Sequence, residues 1–218
     1  MGNIRKFDLG RIINHYKVKN FVETGTFYGD GVAYALQFPF KKIWSVEIVP
    51  DLARKCMKKF IEHNNVTIVC NESVSALKHE IPQLKGPAVY WLDAHFPGAD
   101  AGLTGYLSDD ESLRLPLAEE LRIIAANRNT SHDVFILDDL RIYEDGNFEK
   151  GNVPEDALPS GMRNTSFVEE LFGNSHKIIR CFADEGYLLL FPKRRYYWKH
   201  FSLAGFLKGT VPTDYYLL

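Results

Sequence analysis

The sequence predicts an α/β fold: a doubly wound, mostly parallel seven-stranded sheet with one antiparallel strand. Three observations predict it. Short apolar runs alternate with helix-length amphipathic stretches along most of the chain. The runs are almost continuously apolar, as strands of a parallel sheet must be when both their faces are covered. The last two runs are joined only through Asp184-Glu185-Gly186, which reads as a hairpin.

The elements follow in order. An N-terminal helix precedes "NFVET" (20–24), the first strand. "GVAYALQF" (31–38) reads as a helix and "KIWSVEI" (42–48) as the second strand. "PDLARKCMKKFIEH" (50–63) is a helix opened by Pro50, whose fixed φ suits a first turn, with Leu52, Cys56, Phe60 and Ile61 on one stripe. "VTIVC" (66–70) is the third strand and "SVSALKHEI" (73–81) a short helix. "AVYWLD" (88–93) is the fourth strand, "LPLAEELRIIAAN" (115–127) a helix, and "DVFILDD" (133–139) the fifth strand. A helix over 164–173 leads into the hairpin strands "HKIIRCFA" (176–183) and "GYLLLFP" (186–192), with the antiparallel strand expected at the end of the sheet.

With 218 residues, 45% of them hydrophobic, the chain suits one domain over 1–218, its core at about 20–192, followed by a C-terminal extension. A net charge of −2 gives no global attraction for nucleic acid, and the basic "KRRYYWK" (193–199) reads as a solvated face. No run approaches the ~20 apolar residues of a membrane span, and no leader pattern opens the chain, so a cytoplasmic protein is expected. Three scattered cysteines indicate neither a disulfide framework nor a zinc site, and Cys70 and Cys181 read as buried small hydrophobes. The chain is compatible with a homodimer.

The chemistry gathers where strands end. Glu23, Glu47, Asp93 and the Asp138-Asp139 pair close their strands, and Glu72 lies just past the third. Any of them could cap a helix or sit in a solvated turn. Together at one sheet edge they would repel, and a cation, a proton or hydrogen-bond donors must offset that repulsion. This edge is where open α/β sheets bind ligands. Gly25, Gly29 and Gly31 form a turn after Glu23, but their spacing is not G-x-G-x-x-G and no P-loop lysine follows. Glu47, 22 residues beyond Gly25, is placed to accept hydrogen bonds from ribose hydroxyls, as in dinucleotide or S-adenosylmethionine sites. Glu23 separates the two. A carboxylate before the loop repels a pyrophosphate and suits the sulfonium and ammonium of S-adenosylmethionine. His95 reads equally as a general base or as a loop-packing residue. Glu119 and Glu120 read as a solvated first turn that suits the helix dipole, and Tyr28 as packed.

Taken together, "VETGTFYG", "SVE", "NES", "LDAH" and "LDD" resemble the Rossmann-like S-adenosylmethionine-dependent methyltransferases. More narrowly, they look like macrocin-type sugar O-methyltransferases and the small methyltransferase-like proteins of polysaccharide clusters, where a "PLxEEL" helix follows the LDAH loop. The resemblance implies that Glu23 and the loop of Gly25, Thr26 and Gly29 hold the methionine part. It implies that Glu47 holds the ribose, and that Glu72 and Ser73 border the adenine, Asn71-Glu72-Ser73 standing where the family usually has Gly-Asp-Ser. Asp93, Asp138 and Asp139 would match the family's three Mg²⁺-binding aspartates, with Asp93 also touching the cofactor and Asp93 or His95 taking the acceptor's proton.

The expected activity is methylation of a hydroxylated small molecule or saccharide, assisted by Mg²⁺ as a Lewis acid. Its acceptor would lie under the connections 94–114 and 141–162, which are rich in glycine and aromatics and are expected to move when it binds. Two rival readings remain: a non-catalytic S-adenosylmethionine-binding or interaction protein of the same fold, and a nicotinamide-dependent oxidoreductase. The missing G-x-G-x-x-G and the presence of Glu23 count against the second.

Overall fold

The computed structural model describes residues 3–95, 115–155 and 163–193. Seven strands form one sheet: β1 (Asn20–Thr24), β2 (Lys42–Glu47), β3 (Val66–Cys70), β4 (Ala88–Leu92), β5 (Val134–Leu137), β6 (His176–Cys181) and β7 (Tyr187–Pro192). Their order across the sheet is β3-β2-β1-β4-β5-β7-β6. β1 pairs in parallel with β2 and β4, β2 with β3, and β4 with β5. β7 alone runs against its neighbours, β5 and β6.

The antiparallel strand therefore lies inside the sheet, not at its end as the sequence suggests. Burial explains the exchange. β7 carries Leu188, Leu189, Leu190 and Phe191, all buried, whereas β6 carries Lys177 and Arg180, which are half exposed. The wholly apolar strand takes the inner place and the charged one the edge, where Lys and Arg also discourage pairing with other chains. Burial corrects a second expectation as well. Cys181 is buried, but Cys70 is exposed because β3 is the other edge strand.

Helices cover both faces. On one side α1 (Leu9–Tyr16), α2 (Asp30–Ala35) and α3 (Pro50–Lys59) pack with Phe21, Ile43, Val89, Ile136 and Leu189. On the other, α4 (Ser73–Glu80), α5 (Leu117–Asn127) and α6 (Ser166–Phe172) pack with Val22, Trp44, Tyr90, Phe135 and Leu190. Successive strand residues alternate between these faces, so β1 sends Val22 to one and Phe21 to the other. The helices have local causes. Asp8 caps α1 by accepting from the Arg11 N–H, Pro50 opens α3, and Lys58 and Lys59 lie at its negative C-terminal end. Among the described residues no helix is long and apolar enough to cross a membrane.

At the edge opposite the expected site, Asp133 is fully buried before β5. It accepts from the Ala88 N–H at 2.8 Å and pairs with Arg128, whose Nε lies 2.9 Å from Oδ2. That contact ties the start of β4 to the start of β5.

Candidate functional site

The parallel strands β1, β2, β4 and β5 end at one edge, and their acids gather there. Gly25 and Thr26 continue β1 by donating to the Val46 carbonyl at 3.0 and 3.2 Å. The chain then bends sharply. Gly25 has φ +83°, and a Cβ there would stand 2.7 Å from the Asp93 carbonyl oxygen, so the loop crosses the exit of β4 in backbone contact.

Glu23 does not reach outward from this loop. It is buried beneath it, accepting from the Ser45 hydroxyl at 2.5 Å, and Ser45 in turn lies 2.6 Å from the Thr26 hydroxyl. A Cβ on Gly31 would fall 1.9 Å from Glu23 Oε1, so this glycine makes room for the acid under the first turn of α2. Burial pushes Glu23 up to about 8, with Glu47 and Asp30 adding to the rise and the Ser45 hydroxyl opposing it. At neutral pH it is largely a neutral carboxylic acid that braces the loop.

Glu47 ends β2 with its carboxylate held by two backbone donors, Phe27 N–H to Oε2 at 2.7 Å and Val49 N–H to Oε1 at 2.9 Å. Burial raises its affinity for a proton and these N–H groups lower it. Each oxygen retains a lone pair, the arrangement a vicinal diol requires.

The third group lies where β4 and β5 end. Asp138 donates its N–H to Leu92 O at 3.1 Å, which sets it beside Asp93. Asp139 follows in the left-handed region, φ +51°, so β5 has ended and the two neighbouring aspartates diverge. His95 lies between carboxylates, Nε2 2.6 Å from Asp139 Oδ2 and Nδ1 3.4 Å from Asp93 Oδ1. Arg141 Nε approaches the other oxygen of Asp139 at 3.7 Å. Burial holds Asp93 well above the usual carboxylate range, with Asp138, Asp139 and Glu23 reinforcing the shift. Asp138 is pushed up to about 6, by burial first and Asp139 second, against the pull of His95.

The structure thus brings together Glu23, Gly25, Thr26, Glu47, Asp93, His95, Asp138 and Asp139. Gly29 starts α2 at the far end of the loop, and Ser73 starts α4. Glu72 is exposed and stands at the N-cap of α4 without a side-chain capping bond. Among the described residues no three His, Cys, Asp or Glu side chains are arranged to hold a metal ion. Carboxylate oxygens suit Mg²⁺ in kind, but here His95 bridges Asp93 and Asp139. Most of the first long connection, 96–114, and the end of the second, 156–162, lie outside the described residues. The described part of the second, 141–155, is anchored by Ile142 and Phe148, both buried.

Two site residues escape the sequence reading. Glu120 is not a solvated first-turn acid; it is 1% exposed and accepts from Thr24 Oγ1 at 3.4 Å. Its signal is its position three residues after Leu117 and four before Ile124, on the apolar stripe of α5. Ser45, the hydroxyl that serves Glu23, stands out only as a lone polar residue inside the apolar run of β2. Tyr28 is also corrected, being 51% exposed, not packed.

No protein-family model matches the chain, and no curated protein matches it. Solved structures do. A Staphylococcus aureus protein provisionally described as a caffeoyl-CoA O-methyltransferase aligns with a TM-score of 0.58 at 13% identity, covering 88% of this chain and 85% of that one. The Podospora anserina methyltransferase PaMTH1, solved with S-adenosylhomocysteine bound, aligns at 0.55 and 14% identity over 84% and 75% of the two chains. A Klebsiella pneumoniae protein provisionally described as an O-methyltransferase aligns at 0.52 and 13% over 88% and 81%. The fold is that of the Rossmann-like methyltransferases. Identities this low establish the fold alone.

Proposed function

We propose that this chain is an S-adenosylmethionine-dependent methyltransferase acting on a hydroxylated small molecule or saccharide. One observation carries the reading. At the ligand edge of a methyltransferase sheet, Glu47 is fixed by two backbone N–H groups beside a loop under which a neutral acid, Glu23, replaces any phosphate-binding feature.

S-adenosylmethionine, when bound, supplies an activated methyl group. Glu47 takes the ribose hydroxyls, and the Gly25–Gly29 turn keeps the backbone low enough for the amino-acid part to lie over β1 and β4. The chain's task is then alignment of the acceptor oxygen, and positioning of this kind supplies up to ~7–11 kcal/mol in favourable cases. Asp93 borders the crevice and, in its ionised form, takes the acceptor's proton; burial first and Asp138 second strengthen its hold on that proton. Asp139 and Asp93 orient His95 between them. No step of this scheme is routed through Mg²⁺; among the described residues the acids are not arranged as a metal site. The saccharide assignment rests on the aromatic and glycine content of 94–114 and 141–162.

S-adenosylhomocysteine, with or without Mg²⁺, should raise the melting temperature, since a ligand bound by the native state alone stabilises it. NAD and ATP should not. Glu47→Ala should weaken S-adenosylhomocysteine binding by about tenfold or more, as expected for loss of a charged hydrogen-bond acceptor. Equal affinity in calorimetry would refute the ribose assignment. Cofactor binding without methyl transfer to any hydroxylated acceptor would favour the non-catalytic binding protein.

A further inference from the structure

Glu120 is a buried acid that the fold does not require. It projects from the first turns of α5 into the apolar layer behind β1, where a leucine would pack. Its Oε2 accepts from the Thr24 hydroxyl at 3.4 Å, and the Ser73 hydroxyl lies close enough to lower its proton affinity. Oε1 meets no donor. A buried carboxylate oxygen left in this state is costly, and chains retain such groups where something else completes them.

Its two hydroxyl partners locate it in the crevice. Thr24 is the last residue of β1, immediately before the Gly25 turn, and Ser73 is the first of α4. A nucleoside whose ribose is held by Glu47 at the end of β2 extends its base past β3 toward the start of α4. Glu72, the acid that the sequence places beside that base, is exposed. Glu120 is the carboxylate held on the inner side, with an oxygen to spare.

We propose that Glu120 is the specificity-determining residue for the base of the bound nucleoside: its free oxygen accepts a hydrogen bond from the exocyclic amine of adenine, while Thr24 and Ser73 fix the carboxylate. This rests on the S-adenosylmethionine reading above. The role follows from donor and acceptor count. The carboxylate offers only lone pairs when ionised, the adenine amine offers N–H, and a base with a carbonyl at that position sets lone pair against lone pair. Recognition of the base thereby moves from the tip of β3 to the inner face of α5.

The test compares S-adenosylhomocysteine with S-inosylhomocysteine, which differ at position 6, amine against carbonyl, and at N1, an acceptor in adenine and an N–H in hypoxanthine, by calorimetry on the full chain. Wild type should prefer the adenine compound by about tenfold or more. Glu120→Gln keeps the size but can turn an amide N–H toward a carbonyl, so the preference should collapse or invert. Glu72→Gln should leave it unchanged. A preference that survives Glu120→Gln, or that vanishes in Glu72→Gln, overturns the assignment. So does a wild type that binds both compounds equally, a result that needs no variant to fold. If Glu120→Gln does not fold, Glu120→Asp, which withdraws the carboxylate by one methylene, should weaken the adenine compound alone; equal weakening of both overturns the proposal. Failure of wild type to bind S-adenosylhomocysteine at all is a separate result, and it overturns the methyltransferase reading with this one.

Discussion

Glu23 gives the clearest quantitative test. Burial raises its carboxyl from 4.5 to about 8, so across this window the native chain holds a proton that the unfolded chain releases. Stability is therefore at its full value below pH 4.5, declines as pH rises, and levels off above about 8. The slope approaches 1.36 kcal/mol per pH unit for one proton. Between pH 5 and 8 the loss from this group alone is about 3–4 kcal/mol. For a chain of this size, that is a fall of roughly 10 °C in melting temperature.

Glu23→Gln isolates the effect. The amide carbonyl keeps the hydrogen bond from Ser45, and the side chain cannot ionise. Urea unfolding of the ligand-free wild type and variant at pH 5, 6, 7 and 8 should give curves that separate steadily, the variant gaining about 3–4 kcal/mol relative to wild type over the series. Glu120, pushed up to about 7 by burial, steepens both curves equally and cancels in the difference. Parallel curves across this range would refute the account, because Glu23 would then have to be ionised in the native chain.

Two further outcomes follow from the same geometry. Gly31→Ala places a Cβ within 1.9 Å of Glu23 Oε1; it should cost about 1–3 kcal/mol of stability in urea unfolding, and Glu23→Ala should recover most of that loss in the double variant. Asp93→Asn should reduce methyl transfer by about 10²–10⁴-fold, well beyond any change in S-adenosylhomocysteine affinity by calorimetry, and full turnover would remove Asp93 as the base.

The layout of strands and the edge where the acids collect were legible in the sequence because parallel strands are apolar throughout, which leaves a terminal acid conspicuous. Glu23, Glu47 and Asp93 all follow from that one signal. What was not legible depends on neighbours. That Glu23 faces inward under the loop depends on Ser45, one strand away, and on the missing side chain of Gly31. The place of β7 inside the sheet depends on comparing its burial with that of β6, two stretches that look alike as apolar runs until Lys177 and Arg180 are weighed. Glu120 was misread by giving the helix dipole precedence over the apolar stripe. Both rules apply at that position, but the stripe decides which way the side chain faces.

The two edges of the sheet treat buried acids differently, and the contrast bears on function. At one edge Asp133 receives a guanidinium and a backbone N–H, which oppose the rise to about 7 that burial causes. At the other, Glu23 and Glu120 receive side-chain hydroxyls and Glu47 two backbone N–H groups, and among the described residues none of the three is paired with an arginine. The chain can place an arginine against a buried acid, and it does so at the Asp133 edge. Arg141 reaches Asp139 at this second edge, but only at 3.7 Å while also contacting Glu185. The charge absent from the crevice must then come from protons in the ligand-free chain and from a positively charged, donor-rich ligand in the occupied one. S-adenosylmethionine carries a sulfonium, an ammonium and an adenine amine, and each has an acid available at this edge. A pyrophosphate cofactor would add negative charge to a site already short of donors, and this electrostatic deficit argues against a nicotinamide dinucleotide more strongly than the glycine spacing does.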